Sequence, residues 1–267
     1  MLHVHDASTK GAAVIASILA DGGIPSAIWG VNAAVHYGGG LCPMDIELVI
    51  NDADQERAFA VLISQGALPA VPEDSAESRP AEFTRWRELA PSYRFRDRRR
   101  VRLCTPMYEL PGTGNPFDPF VILYSTEAVG LCPVPFPEPL EASSESPYVL
   151  VSSDPLVSPD SASQDSSGDK IILAPTFPSL VESEVHVLSC IADHLSPVWG
   201  QHMAQLSELL RSRSCDKGYD SLQELVNPRL SQFSGWIQSH LRGDNNVEPP
   251  PKVGLVPVDI MGSAAII

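Results

Sequence analysis

The strongest constraint on this chain lies between residues 8 and 66, where apolar spacing switches repeatedly between helical and strand periods. Ser8–Thr9 open a helical pattern through Ala12, Val14, Ile15, Ile18 and Leu19, which Gly22–Gly23 stop. Ile24–Trp29 reads as a short buried strand ended by Gly30, and Asn32–Tyr37 as a short helix closed by Gly38–Gly39–Gly40. Asp45–Ile50 is a second strand. Asn51–Asp52 then cap a helix through Ala58, Phe59, Val61, Leu62 and Ile63 to Gly66. This α-β-α-β-α order predicts an α/β (α+β) protein with a mixed sheet flanked by helices.

Farther along, the signals are sparser. Tyr93–Asp97 and Arg100–Cys104 alternate like two strands of a hairpin around Arg98–Arg99. Pro111–Pro119 reads as a loop, Phe120–Tyr124 as a β-branched strand, and Pro133–Pro139 as extended chain. Residues 141–169 are dominated by Ser, Asp, Glu and Pro, too polar to offset ordering, with Tyr148–Val151 a short strand inside them. After Ile171–Leu173 helices are expected over Ser179–His194, Trp199–Arg211 and Leu222–Leu241. The expected organisation is a domain over 1–140, a flexible insertion over 141–169, a helical region over 170–246 and an extended tail over 247–267.

Composition excludes several classes. The hydrophobic fraction of 43% suffices for a core, and a net charge of −15 disfavours nucleic acid and anionic membrane unless a local basic patch intervenes. The five cysteines stand singly without a CxxC pair or metal spacing, which fits a reduced intracellular protein. No basic, apolar leader begins the chain and no run is apolar enough to span a bilayer, so a soluble, cytoplasmic protein is expected.

The chemistry concentrates at Asp45–Ile46–Glu47–Leu48. Alternate residues of a strand share a face, so Asp45 and Glu47 point together while Ile46 and Leu48 point to the core. Paired hard oxygen ligands suit Mg²⁺ carrying a substrate phosphate. A solvated strand face with two ordinary acids is the plainer alternative.

Trp29–Gly30–Val31, thirteen residues and then Asp45–Ile46–Glu47–Leu48, set in that order of helices and strands, resemble the DNA polymerase β-like nucleotidyltransferase superfamily, including its minimal and fungal members. The resemblance covers residues 9–68. It implies that Asp45 and Glu47 are catalytic and bind Mg²⁺, that Gly30 lets the backbone approach phosphates, and that Val31 and Asn32 border the substrate. Val31 departs from the Gly or Ser usual in the family. The usual third acid lies on a later strand, and its equivalent here reads as Val101–Arg102–Leu103, with Asp97, Glu109 or Asp118 as substitutes. The acceptor would sit between sheet and helices, with Phe177–Ser179–Leu180–Glu182 as the far wall.

Six arginines (Arg94, Arg96, Arg98, Arg99, Arg100 and Arg102) fall within nine residues of a very acidic chain. Guanidinium forks match phosphate oxygens, so Arg94, Arg96 and Arg102 are expected to bind substrate; a charged edge strand is the alternative. Trp29 reads as core, and His36 and Tyr37 as cleft or packing residues. His186, His194 and His202, eight apart, suit surface or core roles rather than a metal. Three functions follow: a metal-dependent transferase acting on a nucleoside triphosphate or nucleotide-bearing substrate, a degenerate nucleotide-binding or interaction module, and a biosynthetic enzyme using aminoacyl-tRNA.

Overall fold

A computed structural model describes residues 7–69, 99–102, 120–136, 146–151, 172–190, 197–213 and 230–244. Helix α1 (Thr9–Asp21) starts at Ser8, whose hydroxyl accepts from the Gly11 N–H at 3.4 Å, and ends at Gly22. Ala12, Ile15, Ala16 and Leu19 are buried at helical spacing, which fixes its inner face. Strand β1 (Ser26–Ile28), helix α2 (Gly30–His36), strand β2 (Ile46–Ile50), a 3₁₀ turn (Asp52–Asp54) and helix α3 (Gln55–Ser64) follow in the expected order. They are joined by β3 (Leu68–Pro69), β4 (Arg99–Arg102), β5 (Phe120–Ser125), β6 (Tyr148–Leu150) and β7 (Leu173–Pro175). Helices α4 (Phe177–Cys190), α5 (Pro197–Arg213) and α6 (Ser231–Leu241) complete the described chain.

The strands form one mixed sheet in the order β3-β4-β5-β2-β1-β7-β6, so the protein is of the α/β (α+β) class. β2 is central: it runs antiparallel to β1 and parallel to β5, and all five of its residues are buried. A strand covered on both faces reads as a nearly continuous apolar run, and Glu47 is the exception in Ile46–Ile50. β6 and β7 come from beyond residue 140 yet extend the same sheet past β1.

Helices α1 and α3 pack together and against the sheet, while α2 meets α5 and α4 packs on α5. The fully buried Trp29 fastens the sheet to the later helices. Its Nε1–H donates to Ser183 Oγ at 2.9 Å, and the Ser183 hydroxyl donates to the Val129 carbonyl at 2.6 Å. Tyr37 adds a second tie, donating to the Pro175 carbonyl at 2.6 Å. Trp29 is therefore core as expected. His36 and Tyr37 are buried against each other, and Tyr37 packs edge-on against Phe177, which makes them packing residues.

Four local expectations are corrected. Asn51 forms no side-chain cap; its carboxamide instead holds Val134 through Oδ1, accepting from the N–H at 2.7 Å, and Nδ2, donating to the carbonyl at 3.2 Å. Asp52 is likewise diverted, accepting from Thr126 Oγ1 at 2.7 Å. β4 begins at Arg99, a residue expected in a turn, and pairs with β3 and β5. Helix α4 begins at Phe177, two residues earlier than its periodicity suggested, and directly follows β7. Tyr93–Asp97, Pro111–Pro119, most of 141–169 and the tail lie outside the described residues.

Candidate functional site

Glu47 is the point at which β2 and α2 are joined. Its carbonyl accepts from the Trp29 N–H at 2.9 Å, and its own N–H donates to Asn32 Oδ1 at 2.7 Å. Its Oε2 accepts from the Val31 N–H at 2.8 Å, and its Oε1 from the Tyr124 hydroxyl at 3.2 Å. The first turn of a helix exposes N–H groups with no internal partner, and Trp29 at the N-cap position has no side-chain acceptor to offer. Glu47 supplies that acceptor from across the sheet. Asn32 completes the joint by donating to the Ala7 carbonyl at 2.8 Å.

Gly30 makes the approach possible. Its φ of +57° lies in the left-handed region, and Glu47 Oε2 fills the space above its Cα. The close approach expected for a phosphate is thus taken by a carboxylate of the chain itself. The Val31 N–H is committed to Glu47 and Asn32 is fully buried in the joint. These three residues shape the site, and their backbone and amide groups serve Glu47; of the three, Val31 lines the cavity beside Glu47.

Burial pushes the Glu47 carboxyl up to about 7; the Val31 N–H pulls it down, and nearby Asp45 raises it further. Glu47 is 7% exposed. Asp45 is half-buried and lines the open cavity beside it.

That cavity holds about 200 Å³. Val31, Asp45, Glu47 and Ile122 form its floor, and the loop residues Leu41, Cys42 and Met44 one side. Gln201, Ala204 and Gln205 of α5 form the far wall. This corrects the expected wall at Phe177–Glu182: Leu180 is fully buried in the core, and none of that segment lines the cavity.

The position of a third acid is also corrected. The strand beside β2 is β5, and its register sets Ile122 opposite Glu47. Arg102 lies one strand farther out, opposite Phe120, and Arg100 opposite Ile122. A ligand to a metal shared with Glu47 would come most directly from position 122, and an isoleucine 4% exposed stands there. Arg94, Arg96, Asp97, Glu109 and Asp118 lie outside the described residues.

The described donor set does not by itself fit Mg²⁺. Both Glu47 oxygens accept protein hydrogen bonds, its environment favours the protonated form, and the adjacent strand offers a hydrocarbon. Among the described residues no three His, Cys, Asp or Glu are grouped to hold a metal ion.

Behind the cavity lies a pair that sequence spacing did not single out. His202 Nδ1 is 2.9 Å from Glu184 Oε2, and the two are 6% and 2% exposed. Burial opposes charge on His202, but the Glu184 carboxylate and its hydrogen bond outweigh it, so the imidazole is raised above its ordinary value. The Trp29 ring lies between, 4.6 Å from Tyr124 and 5.9 Å from His202. The available signal was position: Glu184 interrupts the apolar stripe Leu180, Val181, Val185, Leu188, and His202 the stripe Trp199, Met203, Leu206.

Among the described residues no helix is long and apolar enough to cross a membrane. No protein-family model matches the chain, and no curated protein matches it either.

Proposed function

We propose that this chain is a nucleotidyltransferase-like binding module for a nucleotide or nucleotide-bearing substrate, in which the paired acids have lost the metal-clamping role. One observation carries this reading: Glu47, the second acid of the pair, is spent as the cap of α2. Its oxygens are held by Val31 and Tyr124, it is sealed under Gly30, and Ile122 is its cross-strand neighbour. A carboxylate so placed orders the fold even though it lines the cavity together with the more exposed Asp45.

Support for a phosphate-bearing ligand comes from the register of β4. Arg100 stands in the same row as Ile122 and Glu47, two strands or roughly 10 Å away. Arginine is the residue type that matches phosphate oxygens, and Asp45 lines the cavity on the Glu47 side of the sheet. In a chain of net charge −15, the arginine-rich sequence of β4 is the natural place for an anion.

Active transfer is the second reading, favoured by the half-exposed Asp45 lining an open cavity. It requires a further acid from the undescribed residues, with Asp97, Glu109 and Asp118 the candidates. A single experiment separates the two. The protein is titrated with each nucleoside triphosphate, with Mg²⁺ or with EDTA, and parallel samples carry α-labelled nucleotide with bulk tRNA or cell extract as acceptor. A binding module takes up nucleotide equally in Mg²⁺ and EDTA and transfers no label. Label transfer abolished by Asp45→Asn establishes the transferase instead and identifies its acceptor, and strongly salt-dependent tRNA binding without label transfer favours the aminoacyl-tRNA alternative.

A further inference from the structure

His186 and Cys190 lie four residues apart on α4 and so meet on one face of the helix, away from the cavity lining. Cys190 is exposed, and its Sγ is 3.6 Å from His186 Nε2, an ordinary separation for a bond from sulfur, which is larger than oxygen. With its proton on Nδ1, the neutral imidazole accepts from the thiol at Nε2. Gly130, at a φ of +68°, lies so close to the ring that an added methyl group would fall 2.6 Å from Cγ and 2.8 Å from Cδ2. That contact holds the imidazole by its inner edge and leaves Nε2 to the thiol. The Ser189 hydroxyl donates to the His186 carbonyl at 2.6 Å and also favours the thiolate of Cys190.

Burial lowers the imidazole below its ordinary 6.5, and burial pushes the thiol above its ordinary 9.0 against the pull of Ser189. Between those values the pair holds one titratable proton, shared by sulfur and Nε2. The thiolate–imidazolium form is then a constant fraction of the pair, because moving the proton within it neither takes up nor releases one. A solitary thiol behaves differently, its reactive thiolate growing about tenfold per pH unit below its pKa. Among the described residues no carboxylate or cation contributes to either value, so the plateau belongs to this pair.

We propose that Cys190, with His186 as its base, is a modification site that takes a small-molecule disulfide by thiol–disulfide exchange. Cys190 Sγ passes its proton to His186 Nε2 and attacks one sulfur of the disulfide. The new S–S bond forms as the old one breaks, and the departing half leaves as a thiolate that takes the proton back from His186. Cys190 is oxidised to the mixed disulfide and the departing half is reduced to a thiol, so the disulfide is the only oxidant required. Cys42 and Cys132 are exposed as well, but among the described residues neither has an imidazole within hydrogen-bond reach.

The test treats the full chain with bis(2-hydroxyethyl) disulfide, an uncharged probe that the net charge of −15 does not repel, between pH 6.5 and 8.5. Peptide mass spectrometry after quenching follows each cysteine separately. At pH 7 the mixed disulfide should form at Cys190 about threefold faster, or more, than at Cys42 or Cys132. Across the pH range its rate should change by less than about threefold, and dithiothreitol should reverse it. His186→Gln should slow Cys190 by about fivefold or more at pH 7 and restore the steady rise with pH. Its melting temperature checks the fold, and the wild-type profile decides without it should that variant unfold. A rise of about tenfold per pH unit at wild-type Cys190 overturns the pairing. A flat profile kept in folded His186→Gln overturns His186 as the base. Modification confined to other cysteines, or none at all, overturns the site.

Discussion

Gly30 and Glu47 share one space: a methyl group on the Gly30 Cα would lie 2.3 Å from Glu47 Oε2. Two consequences meet here, since Gly30 also holds a φ of +57° that side chains rarely adopt. The glycine is required by the carboxylate and by the start of α2 together. Gly30→Ala should therefore destabilise the protein by about 2–4 kcal/mol, combining left-handed strain with displacement of Glu47. Urea unfolding of Gly30→Ala, Glu47→Ala and the double variant measures the coupling. The double variant should be more stable than the sum of the single losses predicts, by about 1 kcal/mol or more. Strict additivity would mean that the two side chains do not compete.

Glu47 also sets a pH dependence. With a folded value of about 7 against an ordinary 4.5, the native state keeps a proton over this interval that the unfolded chain has released. Stability from this group is fully present below pH 4.5 and is lost as pH rises through 7, in all by roughly 3 kcal/mol. His202 acts in the same direction, since its folded value is raised: its contribution is present below 6.5 and is lost above its folded value. Glu47→Gln isolates the carboxyl. The wild type should lose stability relative to this variant between pH 4.5 and 7, and a constant difference across that window would refute a protonated, buried Glu47.

The Glu184–His202 pair should behave as a buried charge pair, not as a surface one. His202→Ala leaves a carboxylate 2% exposed without its partner and should cost about 3–5 kcal/mol. Replacing both residues by leucine removes the desolvation cost as well as the attraction, and should leave stability within about 2 kcal/mol of the wild type. Thermal unfolding of the three proteins at pH 6 decides this. Equal losses in the single and double variants would mean that packing, not charge, governs the site.

The local part of the fold was legible because helix and strand periods are local. Ala12, Ile15 and Leu19 announce α1, and the alternation from Asp45 to Ile50 announces β2. What sequence spacing does not carry is which strands lie side by side. The third-acid position was sought at Arg102, yet β5 and not β4 adjoins β2, a choice made by long-range pairing. The same limit hid the role of Glu47. A strand carboxylate reads as a ligand until the fold brings the Val31 N–H within 2.8 Å of it. Polar groups at helix positions were legible in principle, because Glu184, His202 and Gln205 occupy buried positions where apolar side chains would be expected. The even spacing of the histidines drew attention to surface and core roles instead.

The register of β2 and β5 leads to a gain-of-ligand prediction. Ile122 stands opposite Glu47, lines the cavity with Asp45 and is 4% exposed. Ile122→Asp therefore adds a third carboxylate to two that already disfavour each other's charge. In EDTA at pH 8 this variant should lose about 2–4 kcal/mol, through lost apolar burial and a partly buried charge without a partner. The new carboxylate beside Asp45 gives the cavity a second oxygen ligand in place of Glu47, whose oxygens accept from Val31 and Tyr124, so millimolar Mg²⁺ should restore part of the loss. A ligand that binds only the folded state stabilises by RT ln(1 + [L]/Kd), or about 1.4 kcal/mol when it is present at roughly ten times its Kd. The wild-type melting temperature should not respond to the same Mg²⁺ concentration. An equal Mg²⁺ response in both proteins would show that the natural cavity already holds the ion, and that Glu47 turns from capping α2 to coordinating metal.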